Sequence, residues 1–127
     1  MNIHILTIPN EDIKLRHGFT GADWWWDEAG DLQVRVAAEM EHWREAMALA
    51  VHETVEALMC KHNGVTVAHV DEFDAKFKGE NEIDVNAGDE SDAPYRLEHT
   101  YATAIERVLT GVLGVDWKEY DTRLGKL

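Results

Sequence analysis

The segment that most constrains the fold is AMALAVHETVEALMC, residues 46–60. Eleven of its fifteen residues are apolar, and the remaining four are His52, Glu53, Thr54 and Glu56. The segment is longer than an ordinary strand and shorter than a membrane span, so it predicts a helix that is largely buried. Because isolated charges are costly in such surroundings, its ionisable residues should be paired, protonated or bound to a metal ion.

The flanking sequence predicts one α+β domain over residues 1–127. Residues 2–8, NIHILTI, read as a strand, and residues 23–38 read as a Trp-rich β-hairpin around the turn DEAGD. Together they make a three-stranded sheet, whereas residues 11–22 are polar and are predicted to form a loop.

Three helices are expected to follow the sheet. The first covers about 41–62 and ends at the sequence NG, and the second begins after Thr66 as its N-cap. The third begins at Asp92 and Pro94 and continues to about residue 113. An acidic loop at about 79–92 separates the last two, and the C-terminal tail is expected to pack through its aromatic residues, Trp117 and Tyr120.

The balance of charge limits the kinds of partner. Twelve basic residues against 25 acidic ones give a net charge of −13, which argues against direct binding of nucleic acid. Nine of the acids lie in residues 71–92, against two lysines. Such a surface is compatible with cation binding, with a basic protein as partner, or with mimicry of nucleic acid, and it also serves solubility alone.

Several features predict a cytoplasmic protein. No apolar run reaches the roughly 20 residues of a membrane span, and MNIHILTIPN lacks the basic start and long apolar stretch of a signal peptide. The single cysteine, Cys60, leaves no intrachain disulfide and is predicted to be a buried thiol. The Trp-rich hairpin is a candidate surface for a homodimer.

Helical spacing places ionisable side chains side by side. His52 and Glu56 are four residues apart, and His99 and Glu106 are seven apart, so each pair shares one face of its helix. Small Ala102 leaves room between His99 and Glu106. A hydrogen-bonded His–Glu pair in the core would explain the first pair without any metal.

The same residues also form a plausible metal site. Two imidazoles and a carboxylate, from His52, His99 and Glu56, are a common ligand set for catalytic zinc, with a fourth position left for water. Glu53 is then the candidate general base of a zinc-dependent hydrolase. The residues predicted to orient the ligand imidazoles are Asp71, Asp74 and Glu106. Further oxygen ligands would favour manganese or iron.

The pentapeptide HETVE partly resembles the zincin metalloproteases. In both, a strand precedes the helix and a histidine is followed directly by a glutamate. Zincins carry HExxH, and here Glu56 stands in place of the second histidine. The likeness therefore supports a zinc hydrolase without assigning the chain to that family.

A broader resemblance covers most of the chain. The segments DWWWDEAGDLQVRV, AVHETVEALMCKHNGVTVAHVDEFD, DAPYRLEHTYATAIERVL and LGVDWKEY resemble a family of small uncharacterised proteins encoded by bacteriophages and prophages. This resemblance implies a phage-related protein in the host cytoplasm and implies no particular activity.

Two other functions are compatible with the sequence. One is a non-enzymatic acidic protein that binds a host protein through residues 71–92. The other is a metal-dependent nucleotide pyrophosphatase, because ETVE followed by DEFD loosely resembles the magnesium-binding carboxylates of the all-α enzymes of that class. The leading strands, the short second helix and Asp71, where that pattern has a glutamate, depart from it.

Overall fold

The computed structural model describes residues 1–17, 21–40, 42–80 and 86–127, without the side chains of residues 17 and 78–80. The strands are Ile3–Ile8 (β1), Ala22–Trp26 (β2) and Leu32–Ala37 (β3). The helices are Asn10–His17 (α1), Trp43–Asn63 (α2), Val67–Glu80 (α3), Arg96–Val112 (α4) and Trp117–Leu124 (α5), and a 3₁₀ turn covers Ala87–Asp89. This arrangement confirms the predicted α+β class with a three-stranded sheet.

The sheet is mixed, with the strand order β1-β3-β2. β1 runs parallel to β3 with Ile5 opposite Val34, and β2 runs antiparallel to β3 with Trp24 opposite the same residue. On β3, Leu32, Val34 and Val36 alternate with polar residues and are buried, as their period-two spacing predicts. One face of β3 therefore forms the floor of the core.

Helix α2 lies between the sheet and α4. Its residues Leu49, Ala50 and Cys60 are in the core cluster together with the buried face of β3. Helix α4 runs antiparallel to α2, since His52 contacts Glu106 and Asn63 contacts Glu98. The central helix therefore presents one side to the sheet and another to α4.

The predicted helix ends are close to the observed ones. Gly64 follows α2 with a left-handed φ of 76°, which the sequence NG indicated, and the N–H of Val65 donates to Cys60 O. The hydroxyl of Thr66 accepts a hydrogen bond from the N–H of His69, so the predicted N-cap is confirmed. Tyr120 is buried, as the tail was expected to pack, and α5 supplies the helix that carries it.

The prediction of a loop at residues 11–22 is wrong for α1. This helix has little apolar periodicity, because Leu15 is exposed and Ile13 is its buried apolar side chain. It is held instead by tertiary contacts: the side chain of Asn10 accepts from the N–H of Gly21, and Arg16 pairs with Asp23. Local sequence signals do not report such contacts.

The predicted acidic loop is only partly within the described residues. Helix α3 extends to residue 80, residues 81–85 lie outside the described ranges, and the 3₁₀ turn follows after Asn86. The Asn86 side chain accepts from the N–H of Gly88 and so caps this turn. No helix in the described ranges has the length and apolar character that crossing a membrane requires.

The Trp-rich hairpin is covered by this chain's own side chains. Trp24 is buried, while the Trp25 ring lies 5.1 Å from the guanidinium groups of Arg16 and Arg35. The Trp26 ring lies 4.1 Å from the ammonium of Lys61. A homodimer through the hairpin stays a prediction, and the larger exposed apolar surface is elsewhere in the molecule.

The burial of Cys60 predicts low thiol reactivity in the folded protein. The side chain has no exposed area, and burial raises the pKa of the thiol well above its usual range. We expect native protein to react with a colorimetric disulfide reagent at least about 100-fold more slowly than unfolded protein. A single thiol reacting at the same rate in both states would show that the end of α2 is not packed as described.

Candidate metal centre

Two helices and one strand bring the ionisable side chains together. Helix α2 supplies His52 and Glu56 from one face, and α4 supplies His99 and Glu106 from the face that packs against it. Ala102 and Ala48 are fully buried at the same interface, where their small side chains leave space. The two predicted pairs therefore form one cluster in the interior.

Glu56 is the centre of this cluster. Its Oε2 lies 3.3 Å from His52 Nε2 and 2.9 Å from His99 Nδ1. Its Oε1 accepts a 2.9 Å hydrogen bond from the indole N–H of Trp24 on β2. All four side chains are buried. One carboxylate thus receives donors from the sheet and from both helices.

Each imidazole has a second carboxylate on its other nitrogen. His52 Nδ1 is 2.8 Å from Glu106 Oε2, and the hydroxyl of Tyr120 donates to Oε1 of the same glutamate. His99 Nε2 is 3.4 Å from Asp89 Oδ1, in the 3₁₀ turn. The nitrogens that face Glu56 are therefore the ones that remain for a shared ligand.

His52, Glu56 and His99 could together hold a metal ion. Their ligand atoms all lie within 4.8 Å of one another. A tetrahedral zinc site with bonds of 2.0–2.1 Å places its ligand atoms roughly 3.4 Å apart. The contacts of Glu56 with the two imidazoles, at 3.3 and 2.9 Å, are close to that spacing. The predicted ligand set is thus brought together, while the identity of an ion is a separate question.

Hydrogen bonding controls the charges within the cluster. Burial opposes protonation of His52, but its hydrogen bonds to Glu106 and Glu56 raise its pKa well above the usual range. Burial likewise opposes ionisation of Glu56, yet the two imidazoles lower its pKa to about 2. These opposite pKa shifts favour an imidazolium at His52 beside an ionised Glu56.

Glu53, the predicted base, lies about 100° around α2 from His52. It is half-buried, and burial together with repulsion from Glu56 raises its pKa well above that of an ordinary glutamate. The charges that act on it include those of His52, Asp23 and Glu106. The Glu53 carboxyl is therefore close to the cluster but lies on a different side of α2 from His52 and Glu56.

The other predicted site residues have different partners. Asp71 pairs with Arg16 at 3.1 Å, and Asp74 accepts a 2.5 Å hydrogen bond from the hydroxyl of Tyr95. Tyr95 in turn packs edge-on against His99, with ring centroids 6.2 Å apart. Of the three predicted orienting residues, Glu106 contacts a ligand imidazole directly, at His52 Nδ1. The magnesium-binding alternative, which needs both aspartates, stays a prediction.

Three residues of the cluster were not among those predicted: Trp24, Asp89 and Tyr120. Trp24 and Tyr120 were expected only to pack, and nothing in their spacing relates them to a carboxylate. Asp89 was one of nine acids in residues 71–92. Of that segment, Glu72, Asp89 and Asp92 are exposed, so a host-binding acidic surface stays a prediction.

His99 is also held by the backbone of the 3₁₀ turn. A Cβ built on Gly88 would lie 2.5 Å from Cγ and 2.7 Å from Nδ1 of His99, so the imidazole occupies the space of a side chain at position 88. The carboxylate of Asp89, the next residue, lies beside Nε2 of the same ring, the nitrogen that faces away from Glu56. The turn therefore fixes the ring by shape and by charge.

The Gly88 contact predicts a position-specific loss of stability. Gly88→Ala must displace His99 or the turn and should lower the free energy of unfolding by about 1–3 kcal/mol. Gly111→Ala is the matched control, because nothing lies within 4 Å of its Cβ and the residue is helical. We expect the control to be stabilised by up to about 1 kcal/mol. Equal urea denaturation curves for both variants would contradict the contact.

Comparison with other proteins gives no relative from which to assign the site. Neither a family model, nor a curated protein, nor a solved structure matches this chain. The resemblance to phage-encoded proteins and the partial likeness to zincins therefore stay predictions, and the functional argument depends on the geometry of the cluster.

Proposed function

We propose that this protein binds a divalent metal ion, with zinc as the first candidate, through Nε2 of His52, Oε2 of Glu56 and Nδ1 of His99. The observation that carries the proposal is that one ligand atom from each of these three residues lies within 4.8 Å of the other two at a buried position. Two imidazoles and one carboxylate are typical protein ligands of catalytic zinc.

The second argument is the orientation of the two imidazoles. Metal-bound histidines usually donate their other N–H to a carboxylate or carbonyl, which fixes the tautomer and the ring plane. Glu106 occupies that position for His52 at 2.8 Å, and Asp89 lies on that side of His99 at 3.4 Å. Tyr120 holds Glu106 in turn through its hydroxyl. A buried carboxylate thus orients the His52 ring, and an exposed carboxylate at longer range lies on the outer side of the His99 ring.

The third argument is the local charge. The cluster contains the buried carboxylates of Glu56 and Glu106 with half-buried Glu53 beside them, against two imidazoles. A divalent cation that replaced the proton of His52 would neutralise the charges of Glu56 and Glu106 in a medium of low polarity. A ligand set of two imidazoles and one carboxylate fits zinc, whereas further oxygen ligands would favour manganese or iron.

The proposed activity is metal-dependent hydrolysis, for which peptide or amide bonds are the first class to test. Zinc in such a site polarises a carbonyl oxygen and lowers the pKa of a water molecule. Glu53 is the proposed general base, since its carboxyl lies beside the cluster without being one of the converging ligands. Glu106 and Asp89 hold His52 and His99 in position, and His52 would release the proton on its Nε2 when the metal binds.

Metal content tests the ligand assignment directly. Wild-type protein purified without chelators is expected to contain close to one equivalent of zinc, manganese or iron by plasma mass spectrometry. His52→Ala should contain none, because it removes one of three ligands. His62→Ala changes an exposed histidine of the same helix and should keep the wild-type content. Equal metal content in wild type and His52→Ala would rule out this site.

A milder variant separates loss of metal from loss of folding. Glu106→Gln keeps the size of the side chain but removes the charge that holds His52 Nδ1, and should weaken metal binding by about 10–100-fold. Circular dichroism checks the fold, and the rise in Tm on adding zinc reports binding independently. If wild type takes up no metal even when zinc is added, the cluster is an ordinary buried hydrogen-bond network.

Hydrolysis is tested with Glu53→Gln. Zinc-loaded wild type is assayed on a panel of peptide nitroanilides, and the variant should lose at least about 100-fold in kcat/KM while keeping its metal. Glu72→Gln, on the exposed face of α3, is the control that should keep wild-type activity. Retention of activity in Glu53→Gln would remove this residue from the mechanism without affecting the metal site.

A further inference from the structure

Helix α4 has an exposed apolar stripe along its whole length. Its members are spaced at four, four, three and four residues, the spacing of a seam between packed helices. They are Leu97 (57% exposed), Tyr101 (53%), Ile105 (43%), Val108 (69%) and Val112 (78%). The opposite face of α4 carries His99 and Glu106 and packs on α2. The stripe thus has no counterpart among the described residues of its own chain.

Helix α2 contributes to the same surface. Met47 and Leu58 are 46% and 37% exposed, and with Val51 they lie within about 40° of one another on the helix, away from His52 and Glu56. The sequence predicted a helix covered on most sides, and the sheet and α4 leave this side open. Since α2 and α4 lie side by side, their open sides form an outer surface of the helix pair.

Helices α2 and α4 present no fully exposed carboxylate at this surface, although the chain has 25 acidic residues. All five glutamates of α2 and α4 are buried or half-buried: Glu45, Glu53, Glu56, Glu98 and Glu106. Several nearby cations lie over aromatic rings of their own chain, with Lys61 on Trp26 and Arg107 on Trp117. A second copy of this strongly acidic protein would therefore meet no fully exposed carboxylate of α2 or α4 there.

We propose that α4 forms a homodimer with a second copy of the chain, in antiparallel contact about a two-fold axis at Ile105. Antiparallel pairing places Ile105 against Ile105, Tyr101 against Val108, and Leu97 against Val112. Each larger side chain then meets a smaller one, which is the complementarity that a self-associating surface requires. The spacing of the stripe residues is almost the same in both directions along α4. Antiparallel pairing of two identical helices requires this property, whereas binding of an unrelated partner does not.

The exposed area agrees with a dimer. The largest apolar patch on a typical monomer is about 300–600 Å². The five stripe residues expose on the order of 500 Å², so two copies in contact would bury roughly 1,000 Å² in total, the lower limit for a specific interface. The proposal does not depend on metal binding, because no ligand residue lies on this surface.

Sedimentation equilibrium tests the proposal. Wild type should have twice the 14.4 kDa mass of the chain at micromolar concentration. Ile105→Lys places two ammonium groups at the axis and should raise the dissociation constant at least about 100-fold, with an unchanged circular dichroism spectrum. Thr100→Lys adds the same charge to an exposed position of α4 outside the stripe and should stay dimeric. A monomeric wild type, or a dimeric Ile105→Lys, overturns the proposal.

Disulfide cross-linking gives a second test that does not depend on a disruptive charge. Ile105→Cys should form a covalent dimer under mild oxidation, because the two cysteines meet at the axis. Thr100→Cys should remain uncross-linked, and the native Cys60 is buried and does not compete. Equal cross-linking at both positions, or none at Ile105→Cys in a dimeric protein, would place the interface elsewhere.

Discussion

The structure depends on the carboxylate of Glu56. It accepts hydrogen bonds from Trp24 on β2 and His99 on α4, and lies 3.3 Å from His52 on its own helix. Burial of a carboxylate is costly unless its oxygens are satisfied, so the packing of sheet, α2 and α4 is coupled to this one group. Removing Glu56 would leave three donors without an acceptor.

Helices α2 and α4 bury several carboxylates besides that of Glu56, and these carboxylates have different side chains as partners. Glu106 is held by Tyr120 and His52, Glu98 accepts from the amide of Asn63, and Glu45 pairs with Arg123 of α5. These interactions specify the antiparallel register of α2 and α4 and dock the last helix. Because the glutamates of α2 and α4 are buried or half-buried, the outer side of the helix pair is mainly apolar.

Periodicity in the sequence was sufficient to place the ligand candidates. Spacings of four and seven residues put His52 with Glu56 and His99 with Glu106, and the structure joins the two pairs. Spacing could not give the register between helices, which pairs His52 with Glu106 and Glu56 with His99. Asp71 has Arg16 as its partner, and Arg16 lies on a helix that the sequence indicated as a loop. Contacts between distant segments, such as Trp24 with Glu56, leave no local signal.

The contact between Gly88 and His99 bears on how relatives of this protein could be recognised. An HExxE pentapeptide arises readily on acidic helices, and the two ligand histidines are 47 positions apart in the chain. A glycine eleven residues before the second histidine is a more selective criterion, because any larger side chain there would occupy the space of the imidazole ring. A chain with both histidines and a bulky residue at that position would have to build its site differently.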